Sequence, residues 1–131
     1  MSMTARGAIF AVLLAAAPAR SEPVIQTHVC ADGLTVIVAE KHGVPLVTVE
    51  VAARNGSMTE PPEYNGLSHL YEHMFFKANK VIPSQEAYMA RTRELGMVWN
   101  GTTAQERVNY FFTTTTDHFA DTMAFMRDAI V

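Results

Sequence analysis

The sequence predicts an α+β fold, a largely antiparallel sheet with helices packed on one face. Three observations predict it. Runs rich in Val, Ile and Thr occupy residues 24–39 and 46–53, and β-formers return over 97–115. Stretches around 65–78, 84–95 and 117–130 read as helices from their apolar spacing and cap residues. The resulting order, three strands, two helices, two strands and a helix, is that of α+β rather than of alternating βαβ units.

Each element has a local reason. Val24 to Cys30 reads as a strand, and Ala31-Asp32-Gly33 is a D-G turn of the hairpin kind. Leu34 to Ala39 continues as a β-branched strand, and Pro45 opens the next, Leu46 to Ala53. Met58 to Tyr64, with Pro61 and Pro62, is an irregular approach loop. Asn65 is placed to cap a helix running to about Ala78, before Pro83. Ser84 caps a second helix through Leu95, with Gly96 at its end. Met97 to Thr103 and Arg107 to Thr115 are strands, and Asp117 caps a final helix with Phe119, Met123, Met126 and Ile130 near helical spacing.

Composition excludes several classes. The 131 residues carry a formal charge of −3, with no Lys/Arg cluster interleaved with aromatics, so nucleic acid is not an expected partner. The 49% apolar content is too high for disorder. Residues 1–19 read differently: Arg6, an apolar run from Gly7 to Ala17, then Ala17-Pro18-Ala19 as a small-residue cleavage site. This is the pattern of an export signal, too short for the roughly twenty residues of a comfortable membrane span. It implies a periplasmic or secreted protein whose mature domain begins at residue 20. The single cysteine, Cys30, precludes an internal disulfide and reads as a small apolar strand residue.

The chemistry concentrates in His69-Leu70-Tyr71-Glu72-His73. On a helix turning about 100° per residue, His73 lies about 40° from His69 and Glu72 about 60° to its other side. Two imidazoles one turn apart suit a borderline-soft cation such as zinc, and a neighbouring carboxylate is placed to take a proton from a water the metal activates. Leu67, Leu70, Met74, Phe75 and Phe76 make the helix apolar over a wide surface, so it is expected to be buried, with a metal as partner for its polar groups. H-x-x-E-H is the inverzincin pattern.

The chain resembles the N-terminal domain of the pitrilysin/insulinase family of zinc peptidases. The resemblance covers roughly residues 25–131 and rests on Asp32-Gly33-Leu34, Gly56-Ser57 with Glu60, Gly66 to Lys77 around the histidines, and Asn100-Gly101-Thr102-Thr103 with Glu106 and Tyr110. It implies that His69 and His73 ligate one Zn2+ and that Glu72 is the general base. It further implies that Asn100 and Gly101, on an exposed strand edge, bind the backbone of a peptide or unfolded-protein substrate added as an extra strand. The family usually has Ala after that Asn, so Gly101 departs from the pattern. The third ligand in the family is a Glu on a later helix, which here would fall beyond Val131. The family's second, homologous domain is likewise not in the sequence, and Val131 falls inside a helical pattern with no Gly, Pro or polar tail. Residues 20–131 therefore read as an incomplete peptidase domain, inactive alone and needing a C-terminal half or homologous partner chain. The competing reading is a non-catalytic exported subunit that binds peptides or a sister chain. Glu94 and Glu106 have no spacing that supports a ligand role, and His28, His42, His118 and Trp99 read as structural.

Overall fold

Residues 23–130 are described by a computed structural model of the chain. They belong to two units that divide after His42. The leader anticipated over 1–19 lies outside the described residues. In the first unit β1 (Val24–Val29) and β2 (Thr35–Glu40) pair antiparallel, with Val29 opposite Thr35 and Val24 opposite Glu40. The Asp-Gly turn forms as expected. The Asp32 carboxylate accepts a hydrogen bond from the Leu34 N–H at 3.1 Å, and Gly33 takes a φ of 89°, where a Cβ would be strained. Cys30 is a free, half-buried thiol just past β1.

The second unit is built on β3 (Leu46–Ala53), β4 (Val98–Thr103) and β5 (Val108–Thr115), antiparallel in the order β3-β5-β4. The five predicted strands thus fall into two sheets among the described residues, because β1 and β2 ladder only with each other. Three helices follow the predicted order: α1 (Leu67–Phe75), α2 (Gln85–Glu94) and α3 (Phe119–Ile130). The α+β class therefore stands.

Strand alternation decides where the core sits. Register places Val49 opposite Phe112 on β5 and Phe112 opposite Trp99 on β4. Phe112 is fully buried, 5.1 Å between ring centroids from Phe125 of α3 and 6.3 Å from Phe75 of α1. Tyr88 of α2 closes the cluster, edge-on to Phe125 at 4.8 Å. Burial pushes the Tyr88 hydroxyl strongly up from its ordinary pKa. The alternate positions form a polar ladder. Thr48 and Thr113 hydroxyls meet at 2.8 Å, Asn109 Nδ2 donates to Glu50 at 2.9 Å, and the Thr102 hydroxyl donates to Asn109 Oδ1.

Two expected helix caps are corrected. Ser84 caps α2 as expected, its hydroxyl accepting from the Ala87 N–H at 3.2 Å, and Gly96 follows with φ 58°. Asp117 does not cap α3. It lies within a 3-10 turn, Thr116–His118, that leads into the helix. Nor does Asn65 cap α1: the N-cap is Gly66, at φ 94°, and makes no side-chain bond. No helix among the described residues is long and apolar enough to cross a membrane.

Candidate metal centre

The N-terminus of α1 is capped from a distance. Glu60, in the approach loop, accepts from the Gly66 N–H at 2.7 Å and the Ser68 N–H at 2.5 Å. Two orphan donors of the first turn are satisfied by one carboxylate, and its charge meets the positive end of the helix. The loop itself is pinned to the β4–β5 turn. The Met58 N–H donates to Gln105 O at 2.9 Å, and a Cβ on Gly56 would stand 2.3 Å from Ala104 O, so only glycine fits. The Ser68 hydroxyl, with the Ser68 and Gly66 N–H groups, holds the Glu60 carboxyl below its ordinary 4.5. A depressed acid contributes stability above its unfolded pKa and loses it as pH falls through the folded one. Hydrogen exchange at Gly66 and Ser68 is therefore expected to accelerate as pH drops through 4.5 and below, beyond the intrinsic pH dependence, and Glu60→Gln is expected to flatten that response.

From this start the helix directs two faces differently. Glu72, Phe75 and Phe76 turn toward the sheet. Phe75 stacks on Tyr110 at 4.0 Å, and Phe76, the residue closing the helix, stacks on Trp99 at 4.4 Å. Trp99 is thus packed against the core, as expected. Burial of Tyr110, then electrostatic repulsion from Tyr71 and from Glu72 nearby, pushes its hydroxyl up to about 12, so it stays neutral at physiological pH. The rest of α1 is not buried all round as its composition suggested. Leu67, Leu70, Tyr71 and Met74 are more than half exposed, because nothing among the described residues covers that side.

His69 and His73 lie on the exposed part of α1. Their Nε2 atoms approach to 3.1 Å, with ring centroids 4.7 Å apart and planes tilted by 41°. Two imidazole nitrogens on one tetrahedral zinc stand about 3.4 Å apart, from a Zn–N length of about 2.0–2.1 Å. The pair is therefore close to the separation a shared ion requires, and its neutral-imidazole chemistry fits zinc. Among the described residues no group of three or more His, Cys, Asp or Glu side chains converges to hold a metal, so neither Glu94 nor Glu106 completes the set. Glu94 instead pairs with Arg91 at 2.8 Å. The Glu72 carboxylate is turned to the sheet, where its Oε2 accepts from the Thr103 hydroxyl at 2.6 Å.

The edge strand beside it is β4, bonded on one side only, to β5, among the described residues. The Ala104 N–H donates to Arg107 O at 2.8 Å, which makes that pair a hydrogen-bonded one. Antiparallel alternation then makes Thr102–Asn109 and Asn100–Phe111 bonded pairs, while Trp99, Gly101 and Thr103 point their N–H and C=O groups to the free edge. Sequence reasoning named Asn100 and Gly101 together. By this register their backbones point to opposite sides of the strand, and the groups directed away from β5 are those of Gly101, itself a buried residue. The Asn100 side-chain oxygen accepts from the Gly101 N–H at 2.9 Å. A cavity of about 490 Å³ opens elsewhere, lined by Val51, Tyr64, Leu67, Tyr71 and Tyr110 among others, and includes none of these site residues. In the sequence Thr103 stands out only as part of the Asn100–Thr103 motif, and its contact with Glu72 spans thirty-one residues.

Known proteins resemble the chain in sequence and in fold. The chain is similar to a Bacillus subtilis protein described as an uncharacterized zinc protease, 32% identical over 94 residues, 72% of this chain and 23% of that protein. It is similar to bovine (Bos taurus) insulin-degrading enzyme, 30% identical over 88 residues, 67% of this chain and 9% of the enzyme. In fold it resembles a protease from Helicobacter pylori with a TM-score of 0.76 at 21% identity, covering 83% of this chain and 26% of that one. The chain thus spans about a quarter or less of these proteins. The family model for insulinase (peptidase family M16) matches residues 35–131, and the chain belongs to that family.

Proposed function

We propose that this chain carries the metal-binding and proton-transfer part of a zinc peptidase site acting on peptides or unfolded protein. The observation that carries the reading is the 3.1 Å approach of His69 Nε2 to His73 Nε2, one helical turn apart. His69 and His73 would hold the ion, which supplies Lewis-acid polarisation of the scissile carbonyl. Glu72, the residue before His73 in the chain and turned to β4, removes a proton from the attacking water and passes it to the leaving amine. The substrate lies extended along the edge of β4, where the Gly101 C=O points away from β5 and the Gly101 N–H is held by the Asn100 side-chain oxygen. Asn100 then either releases the Gly101 N–H or bonds the peptide with its own carboxamide. Catalytic zinc normally takes three protein ligands, so two imidazoles alone are expected to leave the isolated chain inactive. A further Glu, supplied by later sequence or a partner chain, completes the donor set in this proposal. The apolar, A-x-A-terminated leader supports export of the protein as part of the same reading.

The test is zinc content together with hydrolysis of a quenched peptide by the complete gene product. His69→Ala and His73→Ala are each expected to abolish stoichiometric zinc and turnover together. Zinc held at wild-type stoichiometry after both replacements would remove the basis of the proposal.

A further inference from the structure

A general base on a flexible side chain works only in the fraction of time it points correctly. A glutamate has three side-chain torsions, and misplacing a reacting group by about 1 Å can cost on the order of 100-fold in rate. Something must therefore hold Glu72. The three successive helix-facing positions of β4 share that task in an ordered way. Trp99 stacks on Phe76 at 4.4 Å and fixes the end of α1 to the strand. Gly101 leaves space for the stem of Glu72, since a Cβ there would stand 3.0 Å from Glu72 Cγ and 3.1 Å from Phe76 Cε2. Thr103 then bonds the head, its hydroxyl 2.6 Å from Glu72 Oε2.

We propose that Thr103 is a positioning residue for the general base, fixing one oxygen of Glu72 so that the other is presented for proton transfer. This inference rests on the reading of Glu72 as that base. Thr103 suits the role because it is the last residue of β4, opposite Val108, which is buried. Its hydroxyl is thus carried by the sheet and not by the helix that bears the histidines. The bond needs a donor and a carboxylate acceptor only. Valine, of nearly the same shape, removes it, whereas serine retains it.

The experiment compares Thr103→Val and Thr103→Ser in the complete, zinc-loaded gene product. Thr103→Val is expected to lower kcat about tenfold, the size typical of lost supporting contacts at metal sites, with KM and zinc stoichiometry unchanged. Thr103→Ser is expected to restore kcat. Thr103→Ala carries the same expectation as valine and covers the case in which valine does not fold. A second readout needs no turnover: in metal-free protein, Thr103→Val combined with Glu72→Ala is expected to lower Tm by less than the two single changes summed. Wild-type kcat in Thr103→Val, an equal loss in Thr103→Ser, or additive Tm shifts would overturn the positioning role. If the wild type shows no zinc-dependent hydrolysis, the peptidase reading falls and this role with it. Normal wild-type hydrolysis beside an unaffected Thr103→Val sinks the positioning role alone.

Discussion

Glu72→Gln in the complete gene product is expected to lower peptide hydrolysis by about 1,000-fold, within the range that positioned acid–base groups supply, while leaving zinc content intact. The separation of the two readouts follows from geometry. The nitrogens proposed to hold the metal are those of His69 and His73, which meet at 3.1 Å without any contribution from Glu72. The glutamine retains the shape of the side chain and an oxygen for the Thr103 hydroxyl, so α1 is expected to keep its seat on β4. What it loses is the ability to accept a proton from water. Steady-state hydrolysis of a quenched peptide and metal analysis on the same sample check both halves. Retained turnover would reassign the base, and lost zinc would make Glu72 a ligand.

The largest expected effect on stability is at Phe112. Phe112→Ala is expected to destabilise the second unit by about 3–5 kcal/mol, the usual range for a buried aromatic truncated to alanine. Phe112 is the residue on which the layers meet. It is fully buried, its ring centroid 6.3 Å from that of Phe75 and 6.2 Å from that of Phe76 at the end of α1, and 5.1 Å from that of Phe125 of α3. Its removal leaves a void that three rings from two helices must close together, and rigid packing allows only partial collapse. Denaturant unfolding followed by far-UV circular dichroism measures the change. A loss under about 1 kcal/mol would show that the neighbouring rings repack freely.

Much of this arrangement was legible in the residues themselves. β3 runs over Leu46–Ala53, the span its β-branched run predicts, and Ser84 and Gly96 bracket α2 as their cap preferences require. Those signals are local, a period or a turn residue acting on its neighbours. The misread features depend on residues far apart in sequence. Asn65 stands where a cap belongs, yet the capping carboxylate comes from Glu60, six and eight residues before the N–H groups it accepts from. Apolar residues around α1 suggested complete burial, but composition does not say which neighbours are present to cover Leu67, Leu70 and Met74. The division of five strands into two sheets was equally invisible, since a strand's pattern does not name its partner.

The candidate site divides the same way. The i, i+4 spacing of His69 and His73 predicted rings on one side of a helix, and the rings meet. The edge position of Asn100 and Gly101 came from a family resemblance, while the distinction between their backbones needed the hydrogen-bond phase of the β4–β5 pair. Thr103 carried no sequence signal of its own beyond standing two residues after Gly101 on the same strand face. That period-2 relation could have pointed to it once the strand was known to pack under α1.

Gly101 leaves a dent in the floor beneath the carboxylate stem. A branched side chain at that position would act as a lever, tilting the acid away from its threonine. A Cβ at this position takes room from the stem of Glu72, and its absence loosens the strand, so the smallest residue favours the acid over the strand.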